Sequence, residues 1–177
     1  MEYNHKYLKT IAKASEKIKK YSYTKLDNII GGKILDIGCG DGHDVFELAS
    51  LGNENEMIVG IDKNKKLIKE ANKSLSKTIF KNIKFLNANA ESLPFNDNTF
   101  DAIRADRVFQ HLENPLKTMD EIKRVLKHNG KIVIVETDWC GLSITPNHET
   151  TKKLIKYLIY KLLNDGEASR MMPTYFN

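Results

Sequence analysis

Cysteine is scarce in this chain. Its two cysteines among 177 residues, Cys39 and Cys140, are too few for a disulfide framework. They follow two different predicted strands, two places apart in the expected sheet, so the thiols start on the order of 10 Å apart. That exceeds the reach of an unstrained bridge. The five histidines are scattered, with no His-x-x-x-His and no Cys-x-x-Cys spacing, so no metal site is expected. No apolar run approaches membrane-spanning length. Met1–Lys20 is punctuated by lysines and has no hydrophobic region of signal-peptide type, which makes a cytoplasmic location the default expectation. Arginines and aromatics interleaved on one face, the mark of a nucleic-acid surface, are also missing. The net charge of +5 comes mostly from dispersed lysines, with a partial cluster at Lys13, Lys17, Lys19 and Lys20. It reads as solvated charge, with an anionic substrate or surface as the competing reading.

What is present fits one soluble domain with a real core: 41% hydrophobic and 29% charged residues. The pattern is a series of strand–helix units. Lys33–Ile37 is a short apolar run bounded by Gly31-Gly32 and by later glycines, and reads as a buried strand. It ends on Asp36 and opens into Gly38-Cys39-Gly40-Asp41-Gly42. His43–Leu51 then places Val45, Phe46, Leu48, Ala49 and Leu51 on one side, predicting a helix. A glycine turn between strand and helix lets main chain approach a ligand, and the free N–H groups of the helix start favour an anionic group.

The units repeat. Met57–Ile61 predicts a second strand ending at Asp62, and Asn64–Ser74 a helix burying Leu67, Ile68 and Ala71, with Leu75 just beyond. An acid there can accept from both hydroxyls of a ribose, or serve as the cap of the following helix. Asn82–Leu86 predicts strand three and Thr99–Ala105 strand four. Pro115–Leu126 predicts a helix with Leu116, Met119, Ile122, Val125 and Leu126 on one face. It stops at His128-Asn129-Gly130, where Gly130 is able to take the left-handed conformation. Lys131–Glu136 predicts strand five. Ahead of the first strand, Tyr3–Lys20 spaces Tyr7, Ile11, Ala14 and Ile18 as an amphipathic helix. Beyond the fifth, Leu154, Ile155, Leu158, Ile159, Leu162 and Leu163 from Thr151 onward predict another helix, ended by Asn164-Asp165-Gly166.

The run Asp36-x-Gly38-x-Gly40-x-Gly42 resembles the first motif of the class I S-adenosylmethionine methyltransferases. It departs from the dinucleotide fingerprint, which needs a glycine where His43 stands. A nucleotide site and a glycine turn with no ligand are the competing readings. Gly60-Ile61-Asp62 resembles the family's second element, and Asn89–Phe95 (Asn-Ala-Glu-Ser-Leu-Pro-Phe) its Asp-Ala-Glu-x-Leu-Pro-Phe stretch. Phe100-Asp101 resembles the family's Phe-Asp pair, and Arg107–Leu112 (Arg-Val-Phe-Gln-His-Leu) is similar to the Arg-Val-Leu-Gln-His-Leu loop of a small-molecule branch, the type 11 and ubiquinone/menaquinone-biosynthesis group. The Asn/Asp-Pro-Pro-Tyr/Phe motif of base amino-methyltransferases is absent. Arg124–Gly130 lacks the proline and first glycine of the family's Arg-Val-Leu-x-Pro-Gly-Gly.

The resemblance implies S-adenosylmethionine as cofactor, held by Asp36, Gly38, Cys39, Gly40 and Gly42, with the acid of the turn suited to the cofactor's amino group. Asp62 and Lys63 would face the ribose. Asn89, Ala90 and Glu91 would face the adenine, Asn89 through an uncharged amide oxygen, and Arg107 would complete the site. Tyr21 or Tyr23 could touch the ligand or pack in the core. His111 is the candidate general base, with pocket lining and loop ordering as alternatives. Glu136 and Asp138 are expected to face the same cleft, as base or as orienting groups, against a default of capping.

The expected fold is α/β, a Rossmann-like open, mainly parallel sheet with helices on both faces. Residues 1–30 would form a helical cap and 31–177 the cofactor domain. The family's sheet runs 3-2-1-4-5-7-6, yet nothing from Gly141 to Asn177 reads as its last antiparallel pair. Strand five would then be an open edge, available to a second copy or a partner chain. The expected activity is methyl transfer to a small molecule. A non-catalytic or partner-completed module is the alternative, and an RNA methyltransferase rests on the charge alone.

Overall fold

The computed structural model describes residues 15–26, 31–52 and 54–138, together with Lys153, Arg170 and Met171. Of the helix expected over Tyr3–Lys20 only the part from Ser15 is described; the helix expected from Thr151 onward lies outside the described residues apart from Lys153, as does Cys140. Within them the chain runs α1 (Glu16–Thr24), β1 (Lys33–Ile37), α2 (His43–Leu51), β2 (Met57–Asp62), α3 (Lys65–Leu75) and β3 (Ile83–Asn87). It continues with β4 (Phe100–Asp106), a 3-10 turn (Phe109–His111), α4 (Pro115–Val125) and β5 (Leu126–Val135). The five strands form one sheet in the order β3-β2-β1-β4-β5, every neighbouring pair parallel.

Alternation along the strands builds a core on each face. Leu35, Ile37, Val59, Ile61, Ile103 and Ala105 point to one side and pack with Met119, Ile122 and Val125 of α4. Ile34, Ile58, Ile83, Phe85 and Ala102 point to the other, against Val45, Leu48 and Ala49 of α2, Ile68 and Ala71 of α3, and Tyr23 and Leu26. Helix α1 runs on through Tyr21–Tyr23, where the sequence suggested a leading segment.

Local chemistry explains the helix boundaries. Asn64 caps α3, its side chain accepting from the N–H groups of Lys66 and Leu67. Asn114 caps α4 by accepting from Lys117, with Pro115 in the first turn. Three helix faces differ from the sequence pattern: Ile18, Leu51 and Leu116 are exposed, and in α1 Lys19 and Ser22 turn inward instead, drawn by the Asp44 carboxylate and the Arg104 guanidinium they bond.

The end of α4 differs from expectation. The helix stops at Val125, and Leu126 is already extended and paired with Phe100, while Ala102 pairs with Lys131. Residues 127–130 therefore bulge out of β5. Asn129 holds the left-handed conformation, at φ 62°, which asparagine tolerates better than most residues. Gly130 is needed for a different reason: a Cβ there would lie 2.6 Å from Leu126 Cδ1.

Gly42 combines both constraints. It caps α2 at φ 89°, and a Cβ would lie 2.6 Å from Phe85 Cζ. Gly42→Ala is expected to destabilise the fold by about 2–4 kcal/mol, the sum of left-handed strain and core overpacking. Urea unfolding measures this, and an unchanged midpoint would contradict it.

Candidate functional site

The strand order reverses direction between β1 and β4, so a crevice opens at the carboxyl ends of these strands. The glycine turn forms one wall. Gly38, Gly40 and Gly42 all have positive φ, so the segment curls tightly above β1. Parallel register sets Ile37 beside Ala105 and Ile61, which brings Asp106 and Asp62 to either side of the turn. Asp62, half-buried, fastens the second wall: Oδ2 accepts from the Gly40 N–H at 2.9 Å and Oδ1 from the Asn64 N–H at 2.7 Å. It thus joins the turn to the start of α3, while Asn64 does the capping. Burial pushes its carboxyl up from the usual range, opposed by these two N–H donors.

Beneath the turn lies a buried ion cluster that the sequence did not announce. Arg104, in the middle of β4, is fully buried. Its Nη1 donates to Asp36 Oδ1 at 2.9 Å and Asp44 Oδ2 at 3.0 Å, its Nη2 to Asp106 Oδ2 at 3.0 Å, and its Nε to Ser22 Oγ at 3.1 Å. Lys19 of α1 reaches the same anions, Asp44 at 2.6 Å and Asp106 at 3.1 Å, and Tyr23 donates to Asp44 at 3.0 Å. A charged residue inside an apolar central strand was the available signal, since a buried guanidinium requires anions. The cluster splits its carboxyls: burial raises Asp36 to about 6, with Arg104 opposing, whereas Asp44, despite the upward push of burial, is held down at about 2 by Arg104 and Lys19.

The sequence-predicted residues separate accordingly. Asp36 is paired with Arg104 and 1% exposed, so it supports the turn from below and does not open onto the cleft. Cys39 turns its thiol into the core against Gly60 and donates its N–H to Ile61, leaving no side-chain group for a ligand. Its thiol is pushed well up by burial. Glu91 is committed to the α4 side, its Oε1 accepting from the N–H groups of Glu113 and Asn114 at 3.0 Å each. Asn89 is exposed and accepts from the Glu91 N–H at 3.0 Å, while Ala90 is buried. Arg107, at φ 56°, pairs with Asp106 at 2.8 Å. Tyr23 is a core residue, and Tyr21 is exposed with Lys25 over its ring.

Three candidates for chemistry also part ways. His111 lies in the 3-10 turn next to Gln110, at 3.1 Å. Burial, with the positive charge of Lys63 adding to it, lowers its imidazole to about 4, so the ring is neutral at physiological pH and only a weak base. Glu136 is taken up by the chain itself: its Oε1 accepts from the Phe109 N–H at 2.7 Å. Asp138 is exposed and paired with Arg170 at 2.9 and 3.1 Å. Strand β5 ends at Val135, so the residues after it leave the sheet. Among the described residues no group of three His, Cys, Asp or Glu is placed to hold a metal ion. None of their helices is long and apolar enough to cross a membrane.

An open parallel sheet with its crevice at the strand-order reversal, a glycine turn and an acid at the end of β2 define a Rossmann-like cofactor-binding α/β protein. A sequence profile described as a methyltransferase domain matches residues 30–167, and the chain belongs to that family, whose cofactor is S-adenosylmethionine. It is 32% identical over 120 residues to the demethylmenaquinone methyltransferase of Lactococcus lactis, covering 68% of this chain and 48% of that one. It is 35% identical over 105 residues to the ubiquinone/menaquinone biosynthesis C-methyltransferase UbiE of Wigglesworthia glossinidia brevipalpis, covering 59% and 42%. A solved S-adenosylmethionine-dependent methyltransferase from Aquifex aeolicus shares the fold, with a TM-score of 0.66 at 24% identity over 89% of this chain and 88% of that one. The chain spans about half the length of the curated relatives it matches, 46% and 48% for two of them.

The buried cluster makes a direct prediction. Arg104→Met leaves three carboxylates without their shared partner and is expected to destabilise the protein by about 3–5 kcal/mol near neutral pH. Without the guanidinium, Asp36 and Asp44 bind protons more readily when folded. The deficit relative to wild type should therefore shrink as pH falls from about 8 to 5. Urea unfolding across that range checks the sign, and a deficit independent of pH would contradict it.

Proposed function

We propose that this chain binds S-adenosylmethionine in the crevice between the glycine turn and Asp62 and uses it to methylate a small-molecule acceptor. The observation that carries this is the Asp62 carboxylate at the lip of the turn, half-buried and joined to Gly40. In an apolar setting a carboxylate favours further donors, and a pair of ribose hydroxyls supplies two. The three glycines let the backbone of residues 38–42 curl around the amino-acid tail. Asn89 and Ala90 then lie on the adenine side and Lys63 faces the cleft that His111 borders. Arg107 acts on this site through Asp106.

The cofactor, when bound, supplies an electrophilic methyl group on a sulfonium. The chain's part is to hold a nucleophile in line with it and keep water out. His111 suits this as a neutral lining group that can accept a hydrogen bond from an acceptor hydroxyl or amine. With its imidazole near 4 it is not poised as a strong base at neutral pH. The relatives named for quinone methylation support an acceptor with a ring hydroxyl or activated carbon. A cytoplasmic location belongs to the same reading.

A second reading is a module completed by a partner. Among the described residues β5 has a sheet neighbour on one side only. A fold neighbour at a TM-score of 0.59 is a Haloferax volcanii methyltransferase in complex with the Trm112 activator. The solved [4+2]-cyclase SpnF, 27% identical with a TM-score of 0.64, supports keeping non-methylating chemistry in view.

Titration calorimetry with S-adenosylmethionine tests the site. Asp62→Ala is expected to weaken binding about a hundredfold, the loss of two charge-assisted hydrogen bonds, and Gly40→Val to abolish it. Affinity unchanged in Asp62→Ala would refute the site. Transfer of label from radioactive S-adenosylmethionine to quinols, phenols and amines tests the activity. Binding without turnover of any acceptor would favour the partner-completed module.

A further inference from the structure

The segment Arg107–His111 crosses the crevice. Val108 lies directly on the glycine turn: a Cβ at Gly38 would be 2.5 Å from its Cγ2. The Phe109 side chain is buried in the core, and His111 ends the segment beside Gln110, close enough to Lys63 to feel its charge. At its start the segment is fixed by the Arg107 N–H donating to the Val135 carbonyl at 2.7 Å. Further along, it is fixed by a side chain from the neighbouring strand: Glu136 Oε1 accepts from the Phe109 N–H at 2.7 Å. The other oxygen, Oε2, is buried and has no hydrogen-bond partner among the described residues. A bare buried carboxylate oxygen is adverse, and a proton on it removes the buried charge.

We propose that Glu136 is a positioning residue: its carboxyl anchors the Arg107–His111 segment so that Val108 closes on the glycine turn and His111 is held at the cleft. As far as it concerns ligand binding, the proposal rests on the cofactor reading above; the anchor itself does not. The charged groups near the Glu136 carboxyl among the described residues are Asp106 and Arg107, both at the end of β4. Burial, with Asp106 adding to it, raises the carboxyl to about 7, against the pull of the backbone N–H donors and Arg107.

The sign follows from linkage. A segment that opens returns Glu136 to water and to its ordinary value of 4.5, whereas closed it sits at about 7. Through Glu136 alone the closed segment is held best in acid, and opening becomes easier as pH rises from 4.5 to about 7, levelling off above. The whole span is up to about two orders of magnitude in the opening equilibrium. His111, on the same segment, sits at about 4 when closed and returns to its ordinary 6.5 on opening, so it pulls the opposite way over much of this window. Asp36, at about 6, titrates within it, so the comparison with a Glu136 variant isolates the anchor.

Amide exchange of the full chain by NMR, expressed as protection factors, tests this in the wild type, Glu136→Gln and Glu136→Ala. Glu136→Gln, which keeps the acceptor oxygen and cannot ionise, should gain protection at Phe109 as pH rises, because His111 alone then favours opening in acid. Relative to that variant the wild-type Phe109 amide should lose protection as pH rises through the window. Glu136→Ala should lose it throughout and bind S-adenosylhomocysteine about tenfold more weakly, one positioning hydrogen bond. Wild-type and Glu136→Gln protection profiles that run parallel across the window, or wild-type protection of Phe109 in Glu136→Ala, would overturn the anchor. A wild-type chain that binds no S-adenosylhomocysteine would overturn the cofactor reading and the ligand half of this proposal, while the exchange data still decide the anchor.

Discussion

Arg104 is the tie between the parts of this crevice. Its guanidinium sits where β1, β4, α1 and the start of α2 meet, and it bonds to Asp36, Asp44, Asp106 and Ser22, at least one residue from each. A buried cation in a central strand is expensive unless every donor finds an acceptor. Here that demand fixes four segments in relative position at once. The consequence appears one layer above. With Asp36 and Asp106 held, the backbone between them and Asp62 has little choice but the tight glycine curl, and Asp62 then closes it through the Gly40 N–H.

The two sides of the crevice are tied by different means. On the β2 side the link is short and local, a carboxylate bridging two backbone N–H groups. On the β4 side it is a crossing segment held by a backbone bond at one point and by Glu136 farther along. Arg124 performs a comparable task under the loop after β3, donating to the carbonyls of Leu93 and Phe95 at 3.0 and 2.7 Å. Glu121, which pairs with Arg124, accepts from the Leu93 N–H at 2.6 Å. Residues at helix faces thus shape the loops at the carboxyl ends of the strands.

The strands and helices were legible because their apolar periodicity is strong: α2 spans His43–Leu51 as the pattern requires, and the parallel order follows from alternating units. The glycine turn was legible because only glycine tolerates its geometry. Less legible was what carboxylates do once folded. Asp36, Glu91, Glu136 and Asp138 all looked like ligand or substrate groups, and each is committed elsewhere, to Arg104, to two backbone N–H groups, to Phe109 and to Arg170. Spacing along a chain places an acid near a strand end but not the partner it meets, which is set by non-local packing. The stop after α4 was misplaced for a similar reason: Gly130 answers a close approach by Leu126, and Asn129 takes the left-handed position.

The central claim concerns where the cofactor sits. A crystal structure of the chain with S-adenosylhomocysteine measures it directly. The account predicts ribose oxygens within hydrogen-bonding distance of the Asp62 carboxylate and the amino-acid tail against the backbone of residues 38–42. Ligand density elsewhere on the molecule, or Asp62 still bonded only to Gly40 and Asn64 in a fully occupied complex, would contradict it.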